Sequence, residues 1–479
     1  MAVDQTVHMA STSCIALNRF GLGARPDDPV PADGRRWLLD QFSQYVAARQ
    51  PWAALPGTEA LLAQYFDAQR AVREAADADK QAARQTLQRN AREDYLQAVA
   101  SRTAAALETP APFVERLVHF WSNHFAVSID KGTVVNLAGA FEAHAIRPHV
   151  LGRFSDMLLA VERHPAMLLY LDQANSIGPG SEAAARAAER NPERKRGLNE
   201  NLAREILELH TLGVRSGYTQ TDVTEFARAL TGWSVAGQAA GLPQRVGPAM
   251  ASLLRSEPGP GGFAFRPAFH EPGVRSVLGR TYPQQGGAQA LAVLSDLASA
   301  PATARHIATK LARHFVADVP PPALVNRLAE AFTRSGGDLP TVYRALIGSA
   351  EAWVGNADKF KTPWEWAVSA LRGLGLRELG GMQMAGLMTQ LGQPVWRPGS
   401  PAGYDDTTGS WAAPDALVRR VEAAQRLALQ VRALIDARAL APRLLPGALS
   451  EATATAIARA DSPASGLALL LVAPEFLRR

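Results

Sequence analysis

The chain has 479 residues, 47% of them hydrophobic, ample for a large core and long enough for one large domain or roughly two to three ordinary ones. Its formal net charge of +5 is a thin excess over this length, carried mostly by arginine, and the one dense basic run is Arg194-Lys195-Arg196, so no nucleic-acid partner is expected. The single cysteine, Cys14, excludes an intrachain disulfide and any cysteine-based zinc or iron–sulfur centre.

Met1 to Thr12 has neither a basic n-region nor an apolar h-region. The chain therefore reads as cytoplasmic, or as periplasmic if a signal has been removed. No apolar run approaches the roughly 18 residues a membrane span needs, and Leu467 to Ala473 belongs to an amphipathic closing helix.

Helical periodicity dominates. Ile15 to Leu22 and Trp37 to Phe42 predict a small helical region. Leu61 to Arg102 predicts one or two long exposed helices, broken at Pro110-Ala111-Pro112. Phe113 to Phe125 predicts a buried helix, and Leu137 to Arg163 two more around Pro148. After Pro165 to Leu171, the Gly-, Ala- and Arg-rich stretch from Gly178 to Gly197 predicts a mobile surface loop. A helix over Asn199 to Gly213 follows, then a turn at Gly217 and a helix from Asp222 to Leu230. Overlapping capping boxes, Thr219 with Asp222 and Asp222 with Glu225, account for the polar residues before that helix.

Residues 233–285 are Gly/Pro-rich, with short apolar runs at Phe263-Ala264-Phe265 and Val274 to Leu278 around Glu271-Pro272-Gly273; this predicts a β-hairpin or irregular insert. Helices resume from Ala288 to Trp353. A Trp/Pro/Gly-rich stretch, Gln393 to Trp411, precedes the last helices at Asp415 to Ala437 and Glu451 to Leu477. No repeat period is visible. The expected fold is all-α with a small β insert: one large domain over 1–479, divisible into a helical lobe at 1–232, the insert at 233–285 and a second helical lobe at 286–479.

The helix at 199–213 carries the densest chemistry. At about 100° per residue, Leu198, Leu202, Ile206 and Leu209 form its core stripe. Glu200, Arg204 and Glu208 lie opposite at i, i+4 and i+8, the spacing of a solvent-facing ion ladder. Glu205 sits at the stripe's edge, where a carboxylate is costly unless paired or bound to a cation. His210 lies on the other flank, in line with Asn199. Glu205 and His210 are candidate catalytic residues and metal ligands. The structural alternatives are a buried arginine pair for Glu205 and a helix C-terminal cap for His210. They diverge by about 140°, so a site using both needs a kink in the helix.

On the Phe113 helix, His124 lies at the edge of the face formed by Val114, Leu117, Val118, Trp121 and Phe125, and His119 lies beside Glu115. Their spacing is not the His-x3-His of a helical zinc pair. His124 is a candidate ligand, against the alternative of a hydrogen-bonded core histidine. His270, on a turn, is a further candidate ligand. Asp172 and Asn175, closing a very apolar helix, and Asn199 are candidate substrate contacts. His306, Lys310 and His314 share one helical stripe; a partly solvated face is favoured over a cationic pocket wall. P-loop, Gly-x-Gly-x-x-Gly, His-Glu-x-x-His and Gly-x-Ser-x-Gly patterns are absent.

Several of these blocks together resemble the bacterial family called domain of unknown function 1800. They are Leu17-Asn18-Arg19-Phe20-Gly21, His119-Phe120-Trp121-Ser122-Asn123-His124-Phe125, Ile146-Arg147-Pro148-His149, His164-Pro165-Ala166-Met167-Leu168 through Asp172, Asn199 to Gly213, Tyr218 to Val223, Leu230-Thr231-Gly232-Trp233 and Ala473-Pro474-Glu475-Phe476. The resemblance implies a largely helical protein from a family often exported in bacteria, whose genes commonly neighbour those of an uncharacterised sulfatase-like family. Two features depart from it: no export signal is visible, and Pro401 to Trp411, with Tyr404-Asp405-Asp406, diverges from the expected Pro/Gly/Trp pattern. If that segment shapes a pocket, the ligand is atypical.

The residues and the resemblance together suggest a metal-dependent hydrolase or oxidoreductase. His124, Glu205, His210 and His270 would hold zinc, iron, manganese or copper, with Asp172, Asn175 and Asn199 toward the substrate. The alternatives are a non-catalytic binding or maturation partner of a sulfatase-like protein or polymer, and metal-free acid–base chemistry by a His/carboxylate pair. An enzyme requires its residues to converge on a concave, partly polar pocket.

Overall fold

The computed structural model describes residues 11–190, 197–237, 255–355, 359–431 and 435–479. The basic run at 194–196 and residues 238–254 of the expected insert lie outside them. The protein is mostly helical with a few short antiparallel strands. Buried apolar side chains from Ile15 to Leu477 join in one core cluster. No helix among the described residues is long and apolar enough to cross a membrane.

Two helices buried almost all round stand at the centre, Pro112–His124 and Pro363–Gly373. Each starts with proline at its first turn, where the missing N–H would have had no partner. Thr362 and Glu365 close a reciprocal capping box on the second. Arg116 Nη1 and Glu365 Oε1, 2.9 Å apart, tie the two helices together. The long Lys80–Glu108 helix packs against both. Phe315 of the Pro301–Phe315 helix meets Phe113 edge-on, Pro322–Ser335 packs on that helix, and Trp366 Nε1 donates to the Leu471 carbonyl of a C-terminal helix at 2.9 Å. Thr219 and Asp222 form the expected capping box; Asp222 Oδ1 also accepts from the Leu278 amide at 2.6 Å.

Among the described residues, three helices widen into π turns, at Ala16–Phe20, Glu142–Ile146 and Ile206–His210. Such turns are rare and recur at functional sites. The third changes the expected geometry of the 199–213 block, which is a short α-helix, Asn201–Glu205, running into the π turn. The Thr211 amide reaches back five residues to the Ile206 carbonyl at 3.0 Å. This supplies the change of phase that a straight helix lacks. The Glu200–Arg204–Glu208 ladder forms as expected, at 3.2 and 3.9 Å, on the part-exposed face. Exposed pairs contribute little, so Glu208→Gln is expected to change unfolding free energy in urea by less than about 1 kcal/mol.

Two expectations for irregular regions are corrected. The stretch expected as a loop at 178–197 contains a helix, Glu182–Arg190, because its alanines outweigh the flanking glycines. Strands β1 (Trp233–Val235), β2 (Glu257–Pro258) and β3 (Phe263–Phe265) form one antiparallel sheet in the order β1-β3-β2. The hairpin is β4 (Arg275–Val277) with β5 (Arg280–Tyr282). Its turn is therefore Leu278-Gly279 and not Glu271-Pro272-Gly273. Both turn residues have positive φ, 51° and 74°, as a two-residue type I′ turn demands. Leucine there hides the signal that Asn-Gly would have given.

Candidate functional site

A cavity of about 240 Å³ opens between the 112–124 and 301–315 helices, the start of the 363–373 helix and the irregular segment 393–407. It is a little smaller than the roughly 300 Å³ lower end of typical ligand clefts, so it suits a small molecule or the end of a larger one. Trp396 forms part of its wall with φ at +48°, a left-handed conformation that costs a bulky side chain on the order of 1–3 kcal/mol. The surroundings hold it there. The Ile129 amide donates to the Trp396 carbonyl at 2.9 Å, and Trp396 Nε1 donates to Glu142 Oε2 at 3.2 Å. The Arg102 guanidinium sits 5.2 Å over the Trp396 ring and 4.5 Å over that of Trp364, with Glu142 3.1 Å from its Nε. A strained aromatic fixed from several sides at a cavity wall is the kind of feature that marks functional sites.

Glu365 and Asp406 in this wall are heavily paired. Glu365 meets Arg116 at 2.9 Å and Arg479 Nε at 2.9 Å, and accepts from the Thr362 amide. Burial alone would raise its carboxyl, but Arg116 and Arg479 draw it down to about 2. Asp406 meets His314 Nδ1 at 2.6 Å, Lys359 at 3.3 Å and Arg479 at 3.5 Å. Against burial, these cations hold its carboxyl far below the usual range.

His314 is nearly buried, and burial lowers its basicity despite Asp406. As a neutral ring it donates Nδ1–H to Asp406, which leaves Nε2 as the acceptor. That nitrogen is buried with no hydrogen-bond partner, 3.9 Å from Glu365 Oε1. One turn earlier, Lys310 lines the same cavity and makes no hydrogen bond or ion pair among the described residues. Burial lowers it to about 8, with Asp406 opposing the fall and Arg313 adding to it. Lys310 and His314 of the stripe are thus pocket wall and not the solvated face favoured from the sequence, whereas His306 stands outside the lining and pairs through Nε2 with the Leu209 carbonyl at 3.0 Å.

The sequence candidates divide between places. His124 lines the cavity, and its Nε2–H donates to the His210 carbonyl at 3.2 Å, leaving Nδ1 buried and unpartnered. His210 is held through Nδ1 by Glu162 at 2.7 Å, with Nε2 buried and unpartnered. The two rings lie 6.3 Å apart, and the ring of His306 lies 6.0 Å from His124. Glu205 is half-buried without an ion pair among the described residues; burial raises its carboxyl, and His210 opposes the rise. The arginine partner considered for it is not found among the described residues.

His270 Nδ1 pairs with the Thr231 carbonyl at 2.9 Å, and its ring meets Phe265 edge-on. Asp172 and Asn175 line a second cavity of about 160 Å³ with Arg70, Arg73 and Lys131, and Asp172 pairs with Lys131. Asn199 is engaged with backbone: it accepts from the Asn201 amide at 2.8 Å and donates to the Leu171 carbonyl at 3.3 Å. Among the described residues, no group of three or more His, Cys, Asp or Glu side chains is arranged to hold a metal ion.

The family model for "Protein of unknown function (DUF1800)" matches residues 15–478, nearly the whole chain. The chain belongs to the DUF1800 family. No curated protein and no solved structure matches it. In this DUF1800 chain the recognised blocks fall into two groups. Arg147 of the Ile-Arg-Pro-His block grips buried Glu115 with two bonds, 2.7 and 2.8 Å. Asn18 of the first block bonds the Cys14 and Leu444 carbonyls. These hold the fold. The 119–125 block, by contrast, supplies cavity wall through His119, Phe120, Ser122, Asn123 and His124. Asp406 was singled out only as part of the divergent Pro401 to Trp411 segment, which does line the cavity, and Arg479 escaped the sequence reading, because no local pattern connects either to His314.

Proposed function

We propose that this protein is an enzyme that performs general acid–base chemistry on a small molecule in the 240 Å³ cavity. The observation that carries the reading is His314, with Nδ1 tied to Asp406 and Nε2 left without a partner. A carboxylate that fixes the tautomer of an imidazole whose other nitrogen is free is the arrangement of a general base and its orienting acid. Lys310, unpaired on the same wall, is a second proton carrier or a charge for the substrate. The test is a screen of chromogenic esters, amides, phosphate esters and sulfate esters. Turnover is expected, and His314→Gln is expected to lower kcat by at least about 100-fold. Asp406 keeps Lys359 and Arg479 in that variant, so the fold is expected to survive. Turnover unchanged in folded His314→Gln would remove His314 from the chemistry.

Metal-dependent chemistry has separate support in the two orphan ring nitrogens, His124 Nδ1 and His210 Nε2, and in the Glu162–His210 pair. A carboxylate behind a histidine is a common way to orient a ligand. These residues provide two donors, not a complete set. Elemental analysis of protein purified without a chelator or polyhistidine tag tests this reading. Near-stoichiometric zinc, iron, manganese or copper, lost in His124→Gln, would favour it. Metal-free protein that still turns over would sink it.

A further inference from the structure

The charge balance of the cavity says what kind of molecule it receives. Glu365 and Asp406 are each held by two or more cations of the protein, so neither offers a free negative charge to a ligand. Arg116 and Arg102 are paired in turn with Glu365 and Glu142. Among the described residues Lys310 has no such partner, and Arg313 on the next turn, an exposed residue, also lines the cavity and donates to the Asp318 carbonyl at 3.2 Å. Asp405, which also lines the cavity, accepts from Ser410 Oγ at 2.7 Å and has no cation partner among the described residues, so it offsets one of these two. The surplus in the cavity is therefore a single positive charge, centred on Lys310 in a partly desolvated place where it acts strongly. Phe120, Trp364 and Trp396 add apolar surface to the walls.

We infer that the substrate of this site carries an anionic group, a carboxylate or a phosphate or sulfate ester, which Lys310 and Arg313 receive while its apolar body meets the aromatic wall. The inference rests on the acid–base reading for the location of the site. It adds the substrate class. Lys310 is then a binding residue one turn from His314, which brings the bound molecule next to the proposed base.

Isothermal titration of the intact protein tests it, with benzoate, phenyl phosphate and phenyl sulfate as anionic probes, benzamide as the neutral analogue and benzylamine as the cation. The probes need no turnover. At least one anion is expected to bind, and the preferred one separates carboxylate from phosphate or sulfate recognition. Lys310→Met is expected to weaken that binding at least 10-fold, and Lys310→Arg to restore most of it. Because Lys310 has no partner to abandon, the methionine variant is expected to fold, which thermal unfolding checks. Equal affinity in wild type and folded Lys310→Met, preference for benzylamine, or no anion bound at millimolar concentration would each overturn the anionic class. None of these outcomes touches the acid–base reading, which stands or falls on the effect of His314→Gln on turnover.

Discussion

Glu365→Gln is expected to destabilise the protein by about 3–5 kcal/mol at neutral pH, because it leaves Arg116 and Arg479 facing each other around a neutral amide in a buried site. Arg479 is fully buried and Arg116 nearly so, so water cannot compensate. The pH dependence gives the prediction a second edge. The Glu365 carboxyl, ordinarily near 4.5, is held at about 2 in the folded protein. A depressed carboxyl contributes stability above its unfolded value and loses that contribution as pH falls toward the folded one. About 3 kcal/mol is at stake. The stability gap between wild type and Glu365→Gln should therefore be full above pH 5 and shrink steadily between about pH 4.5 and 2. Urea unfolding at pH 7, 4 and 3 reads it directly. A gap independent of pH would mean that the arginines hold Glu365 by shape alone.

The helical fold was legible because apolar periodicity and capping residues are local signals: Thr219 with Asp222 announces a helix start wherever it occurs. The solvent ladder of Glu200, Arg204 and Glu208 was legible for the same reason. The site was legible only in part. His124 and His210 were singled out as polar groups on apolar faces, and they do lie next to each other. But the π turn at Ile206–His210 has no signature in periodicity, so the relation of Glu205 to His210 could not be read from a straight helix. The cavity wall was harder still. Asp406 is polar in a polar-looking loop, and what distinguishes it is a histidine 92 residues earlier and two cations from the 359–361 segment and the C-terminal residue 479. Such a cluster is made by tertiary packing. From sequence alone, the His306/Lys310/His314 stripe could have belonged to solvent just as well, because a stripe of cations does not say which neighbour faces it.

Gly403→Ala is expected to collapse this wall. Gly403 adopts φ +82°, and an added Cβ would lie 2.2 Å from the Asn123 backbone oxygen and 2.8 Å from its Oδ1. Neither side can give way easily. The Asn123 side chain grips the next residue of the loop from both ends, accepting from the Tyr404 amide at 2.7 Å and donating to the Tyr404 carbonyl at 2.8 Å. Asn123 itself belongs to the central buried helix. Backbone strain and backbone clash act together, so a loss of more than about 2 kcal/mol is expected in chemical denaturation. The consequence for the cavity is more specific. If the loop backs away, it carries Tyr404, Asp405 and Asp406 with it, and His314 loses the carboxylate that fixes its tautomer. Folded Gly403→Ala should therefore lose anionic-probe binding or turnover out of proportion to its stability. Gly399→Ala in the same segment, where an added Cβ meets nothing within 4 Å, is the control and should be close to wild type in both. Equal behaviour of the two variants would show that the 393–407 segment tolerates movement without consequence for the site. The cavity would then have to owe its chemistry to the helices alone.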